Sequence, residues 1–149
     1  MDSELKEAIN SYSDDHPQLR VLASDEAESI RTKVALRFGF REGQAWWWER
    51  LPPSSRSFAY SEGEGLAQLM AMAPNRIEPV YLFVTDDDPP PWLCLSGPLQ
   101  ALVEMLNELR FFEYFIIDQS MRWIVFDTHH NALIAHGDGL VFPGSKNGQ

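Results

Sequence analysis

Apolar positions along the chain change from helical spacing to short, dense runs near residue 44, separating a helical start from a sheet-forming remainder. In "SELKEAINSY", Leu5, Ala8, Ile9 and Tyr12 fall on one helical face behind a candidate N-cap at Asp2 or Ser3, and "SDDHP" breaks the pattern at Pro17. A second helix is predicted over "SDEAESIRTKVALRFG". Asp25 and Glu28 have the spacing of a capping box, Ile30, Val34 and Phe38 form a stripe, and Gly39 is the stop.

From Gln44 onward the runs "QAWWWERL", "SFAYS", "VYLFVTD" and "WLCLSG" are rich in aromatic or β-branched residues and bounded by Pro, Gly, Ser or Asp, which predicts strands. Two helices interrupt them. "EGLAQLMAMA" turns Leu66, Leu69 and Met70 inward, and "GPLQALVEMLNELRFF" carries Pro98 in its first turn and a stripe of Leu99, Leu102, Val103, Leu106 and Leu109. The chain then closes with a predicted meander of three strands, at about 113–118, 123–128 and 132–136. Pairing Asp118 with Trp123 and His129 with Ala132 gathers Phe115, Ile117, Ile124, Phe126, Leu133 and Ala135 on one helix-covered face. Tyr114, Ile116, Val125, Asp127, Ile134 and His136 fall on the other, mixed face, which the pattern leaves partly open.

These elements predict an α+β fold: a mixed, mainly antiparallel sheet with a C-terminal three-stranded meander and helices packed on one face. The 149 residues suit a single domain over 1–149, with the last residues, about 143–149, expected to be disordered because the tail is polar and Gly-rich. "TDDDPPPW" reads as a solvated loop and not a calcium site, since prolines follow Asp86, Asp87 and Asp88 and no glycine-bearing ligand spacing is present.

Charge alters the picture more than composition does. Twenty-two acidic against twelve basic residues give a formal charge of −10, which repels phosphate backbones, so nucleic acid is not expected as a partner. No apolar stretch approaches the length of a membrane span, and the acidic N-terminus does not resemble a signal peptide; a cytoplasmic protein without membrane partners is expected. The single Cys94 lies in an apolar run and is read as a buried, inert thiol.

Candidate chemistry concentrates in two stretches. In "FDTHHNALIAHG", Asp127 and His129 share a strand face, while His130 and Asn131 suit a turn. The structural reading has Asp127 bonded to the cross-strand Tyr114. The enzymatic alternative groups Asp127, His129 and His136 as acid/base or metal-binding residues. In "AWWWER" a strand would send Trp46 and Trp48 to one face and Trp47 to the other, leaving a large ring available as an interface anchor. No nucleophile-elbow, phosphate-loop, dinucleotide or paired-cysteine motif occurs, so no cofactor and no metal is expected.

The succession "PVYLFVTDDD", "LQALVEMLNELRFFEYFIID" and "RWIVFDTHHNALIAHG", over residues 79–137, resembles a family of small uncharacterised bacterial α+β domains, with Tyr114, Trp123, Asp127, His129 and His130 matching its pattern. It is also similar, more distantly, to immunity proteins that neutralise bacterial toxins. The resemblance implies a non-enzymatic, immunity-like or regulatory module. Combined with the charge, this leads to an expectation of a basic protein partner met by Trp46, Trp47, Trp48, Asp127, His129 and His130.

Overall fold

The computed structural model describes residues 2–41, 46–61, 63–86, 89–128 and 130–142. The helical start contains α1 (Ser3–Asp14), a two-residue strand β1 (Arg20–Val21) that the pattern did not reveal, and α2 (Ser24–Phe38). Asp2 caps α1, its side chain accepting from the Glu4 amide at 2.9 Å. The capping box expected in α2 is not used: the cap residue is Ala23, and Glu28 instead pairs with Arg31 at 2.8 Å. Gly39 ends α2 at φ 77°, the left-handed conformation that glycine adopts without steric cost.

Strands β2 (Arg56–Ala59), β3 (Pro79–Val84), β4 (Leu93–Pro98), β5 (Tyr114–Asp118), β6 (Trp123–Thr128) and β7 (Ala132–Gly137) follow, interrupted by α3 (Gly65–Met72) and α4 (Leu99–Glu108). With β1 they form one seven-stranded sheet in the order β1-β4-β3-β5-β6-β7-β2, and all its pairings are antiparallel. The α+β class and the adjacent C-terminal meander are therefore those the sequence predicts.

The helices, however, divide between the two faces of the sheet. Leu5 and Ile9 of α1, Leu69 and Met72 of α3 and Leu99, Leu102 and Met105 of α4 pack on one face, against Val80, Leu82, Ile116 and Val125. Ala27, Ile30 and Val34 of α2 cover the other, against Phe83, Cys94, Phe115, Ile117 and Phe126. Every residue of β5 and β6 is consequently buried. The expected open face does not exist, and the unbroken apolar runs in "YFII" and "WIVF" are the trace of burial on both sides.

Two further expectations change. The tryptophan run is no strand: Trp47–Arg50 form a short 3₁₀ helix, entered through Trp46 in the left-handed region at φ 56°. In the last hairpin Thr128, not His129, pairs with Ala132, and Asn131 takes φ 55° to close the turn. This shift of one residue exchanges the faces of β7, placing Leu133 and Ala135 with Val125, and Ile134 and His136 with Phe126 and Ile124. The disorder expected for 143–149 lies outside the described residues, as do Asp87 and Asp88 of the acidic loop.

Candidate functional site

Asp127 stands near the end of β6 on the face covered by α1, α3 and α4, and is only 4% exposed. Its cross-strand neighbour on β5 is Tyr114, whose hydroxyl donates to Asp127 Oδ2 at 2.8 Å. This is the bond anticipated from the strand pattern. Tyr60, just beyond β2, donates to Oδ1 at 2.5 Å from the other side, so the two phenols flank the carboxylate across β6. The Tyr60 amide bonds the Asn131 carbonyl at 3.0 Å, which fixes where its ring begins. The start of α3 lies so close that a Cβ on Gly65 would be 2.8 Å from the Tyr60 ring.

Burial holds the Asp127 carboxyl above its ordinary range, opposed by the two tyrosine hydrogen bonds that favour the anion. The phenols of Tyr60 and Tyr114 are both raised, first by burial and then by the neighbouring carboxylate, so they remain protonated donors. Beside this group lies a cavity of about 200 Å³, lined by Tyr60, Tyr114 and Asp127 together with Leu66, Leu106, Leu109, Phe111 and Phe112. Arg110 also borders it, with its guanidinium engaged by Asp2 and Asp86 at 3.3 Å each and by the Phe111 carbonyl at 2.6 Å.

The other candidate residues do not converge here. His136 faces the opposite side of the sheet, its ring 6.1 Å from Phe38, so it cannot act with Asp127 and the Asp127–His129–His136 grouping is not formed. His129 lies outside the described residues. Among those described, no three of His, Cys, Asp and Glu gather closely enough to hold a metal ion. His130 is exposed in the hairpin turn, its ring 5.7 Å from that of half-buried Trp48.

Trp47 is 1% exposed, stacked 4.6 Å from Phe40 and edge-on to Trp92 at 4.8 Å, with its indole N–H donating to the Arg41 carbonyl. It is a core residue and not a surface anchor. Trp46 is 43% exposed and keeps that possibility. Cys94 is fully buried, and burial pushes its thiol far up, as its apolar surroundings in the sequence suggested. Tyr60 is the member of the site that sequence reading missed. Its partner is 67 residues away, a separation at which no local pattern signals contact.

Fold and site together define an α+β domain with a sheet covered on both faces and a carboxylate–tyrosine pair of contacts opening on a small cavity. The chain belongs to a family of unknown function, DUF6756, whose model matches residues 2–142 and so includes the N-terminal part as well as the C-terminal signature. No curated protein and no solved structure matches the chain.

Proposed function

We propose that this chain is a non-enzymatic protein-interaction domain, immunity-like or regulatory in mode, which acts in the cytoplasm by binding a basic protein partner. The observation that carries the reading is the acidic outer surface of α1 and α4. Glu4, Glu7, Asp14, Glu104 and Glu108 are exposed on the two helices, and Lys6 is the one basic residue within α1 and α4. The helices lie together: Leu5 and Ile9 share a core with Leu102 and Met105, and the Tyr12 hydroxyl is influenced by Glu104 and Glu108. A surface of this sign attracts cationic proteins and repels nucleic acid.

Trp46 supplies a second, apolar contact. A ring of this size, exposed at 43% on a backbone held in the left-handed region, can act as an anchor that slows dissociation. No helix of the described residues is long and apolar enough to cross a membrane.

The test is to recover the partner with the tagged chain from its native cell and then measure binding rates with the purified pair. Association should slow as salt rises, because exposed charges are screened beyond ~8 Å at physiological ionic strength. Converting Glu4, Glu7, Glu104 and Glu108 to glutamine should slow it similarly, while Trp46→Ala should raise the off-rate. An association rate indifferent to both salt and the glutamines would refute the reading.

A further inference from the structure

We infer that the cavity beside Asp127 is a binding site for a primary ammonium group carried on a small apolar body. The polar end of the site presents four oxygens, two of the Asp127 carboxylate and one each of the Tyr60 and Tyr114 hydroxyls. Each phenol spends its proton on the carboxylate and keeps acceptor lone pairs, and the carboxylate, with about four acceptor positions, has two to spare. An ammonium carries three donors and no acceptor. Donor and acceptor sets therefore match, whereas a carboxylate or phosphate ligand would be repelled by the Asp127 carboxylate at this end of the cavity.

Charge leads to the same class. A carboxylate buried to 4% exposure is costly unless a counter-charge accompanies it, and neither oxygen meets a lysine or arginine among the described residues. Arg110 at the border is already shared by Asp2 and Asp86. A bound cation would complete the ion pair in surroundings of low polarity, where such pairing is strong.

The remaining walls set the size and nature of the body. Leu66, Leu106, Leu109 and Phe112 come from α3, α4 and the segment leading into β5 and outnumber the polar Asn107 and Arg110 that also line the cavity, so a mainly apolar stem suits it. A cavity of ~150 Å³ accommodates benzene; the space here, about 200 Å³, suits one ring with a short arm or the stem of a lysine side chain. The site does not depend on the acidic outer surface of α1 and α4, so it stands or falls separately from the protein partner proposed above.

Calorimetric titration of the full chain with 2-phenylethylammonium, Nα-acetyl-lysine amide, 2-phenylethanol and 3-phenylpropionate tests the assignment. Saturable one-to-one binding of either cation, at least about tenfold tighter than the alcohol, is expected from a charge-assisted hydrogen bond. Preference for the aryl amine would indicate a free amine as the natural ligand, and preference for the lysine derivative a side chain presented by a protein. Asp127→Asn should remove that preference while thermal unfolding shows the variant folded. Leu66→Phe, which narrows the cavity and leaves the four oxygens in place, should weaken both cations. No saturable binding of either cation in the millimolar range, equal binding of the alcohol, tighter binding of the propionate, or full retention of affinity in Asp127→Asn would each overturn the inference.

Discussion

Two buried aspartates occupy the same face of the β5–β6 hairpin, one near each end, and their surroundings could hardly differ more. Asp118, 1% exposed, accepts from the Arg122 and Trp123 amides at 2.6 and 3.0 Å and from Arg122 Nε at 3.0 Å. Its charge is matched by a guanidinium and its bonds close the turn on which the hairpin depends. Among the described residues, Asp127 has the two phenols as its hydrogen-bond partners and a cavity alongside. Burial of a carboxylate is thus no mark of function in itself. The distinguishing features are that no counter-charge meets Asp127 among the described residues and that space lies beside the group in which one could sit.

The largest effect expected from this contrast belongs to Asp118→Asn. The amide must turn an N–H₂ toward either Arg122 Nε or the backbone donors, losing charge-assisted bonds, and a cost of about 2 kcal/mol is expected from denaturant unfolding. If Asp118→Asn proved as mild as Asp127→Asn, the distinction between a compensated and an uncompensated carboxylate would collapse.

A smaller effect is expected where α3 meets Tyr60. Gly65→Ala puts a methyl 2.8 Å from a ring that its bond to Asp127 keeps from moving aside, and overpacking of this kind costs about 1 kcal/mol or more. In a Tyr60→Phe background the ring is released from the carboxylate and the same substitution should cost less. Additive behaviour of the two changes would show that the hydrogen bond does not hold the ring.

The smallest effect on stability is that of Asp127→Asn, and its sign depends on pH. Burial raises the Asp127 carboxyl in the folded chain, so folding favours the protonated form. That contribution is fully present below the unfolded value and is lost as pH rises through the raised folded value. Tyr60 and Tyr114, the groups that face it, stay protonated throughout this window. Relative to wild type, Asp127→Asn should therefore gain stability on going from acid toward neutral pH. A stability difference independent of pH, measured by parallel unfolding curves, would show that the carboxyl ionises equally easily in both states.

Helix and strand identities were largely legible because they depend on local spacing. The stripe Leu99, Leu102 and Leu106 is buried as read, "VYLFV" and "WLCLSG" form neighbouring strands, and the Tyr114–Asp127 bond followed from pairing the last strands. The tryptophan run misled because aromatic residues favour strands on average, while Trp47 gains more by entering a ring cluster with Phe40 and Trp92 through a 3₁₀ turn. The candidate site was legible in part: Asp127 was singled out, but its grouping with His136 depended on a hairpin register that the turn at Asn131 shifts by one residue.

By itself, then, the amino-acid order determined the four α-helices with their buried faces and most of the strands, though neither β1 nor the 3₁₀ turn of the tryptophan run, since periodicity and turn chemistry act over a few residues. Tertiary structure alone decided that α2 covers the second face, that Tyr60 reaches Asp127 across 67 residues, and that a cavity remains between them and α4. These are outcomes of packing between distant segments, where steric fit and the need to satisfy buried polar groups choose among arrangements that local preference leaves equal.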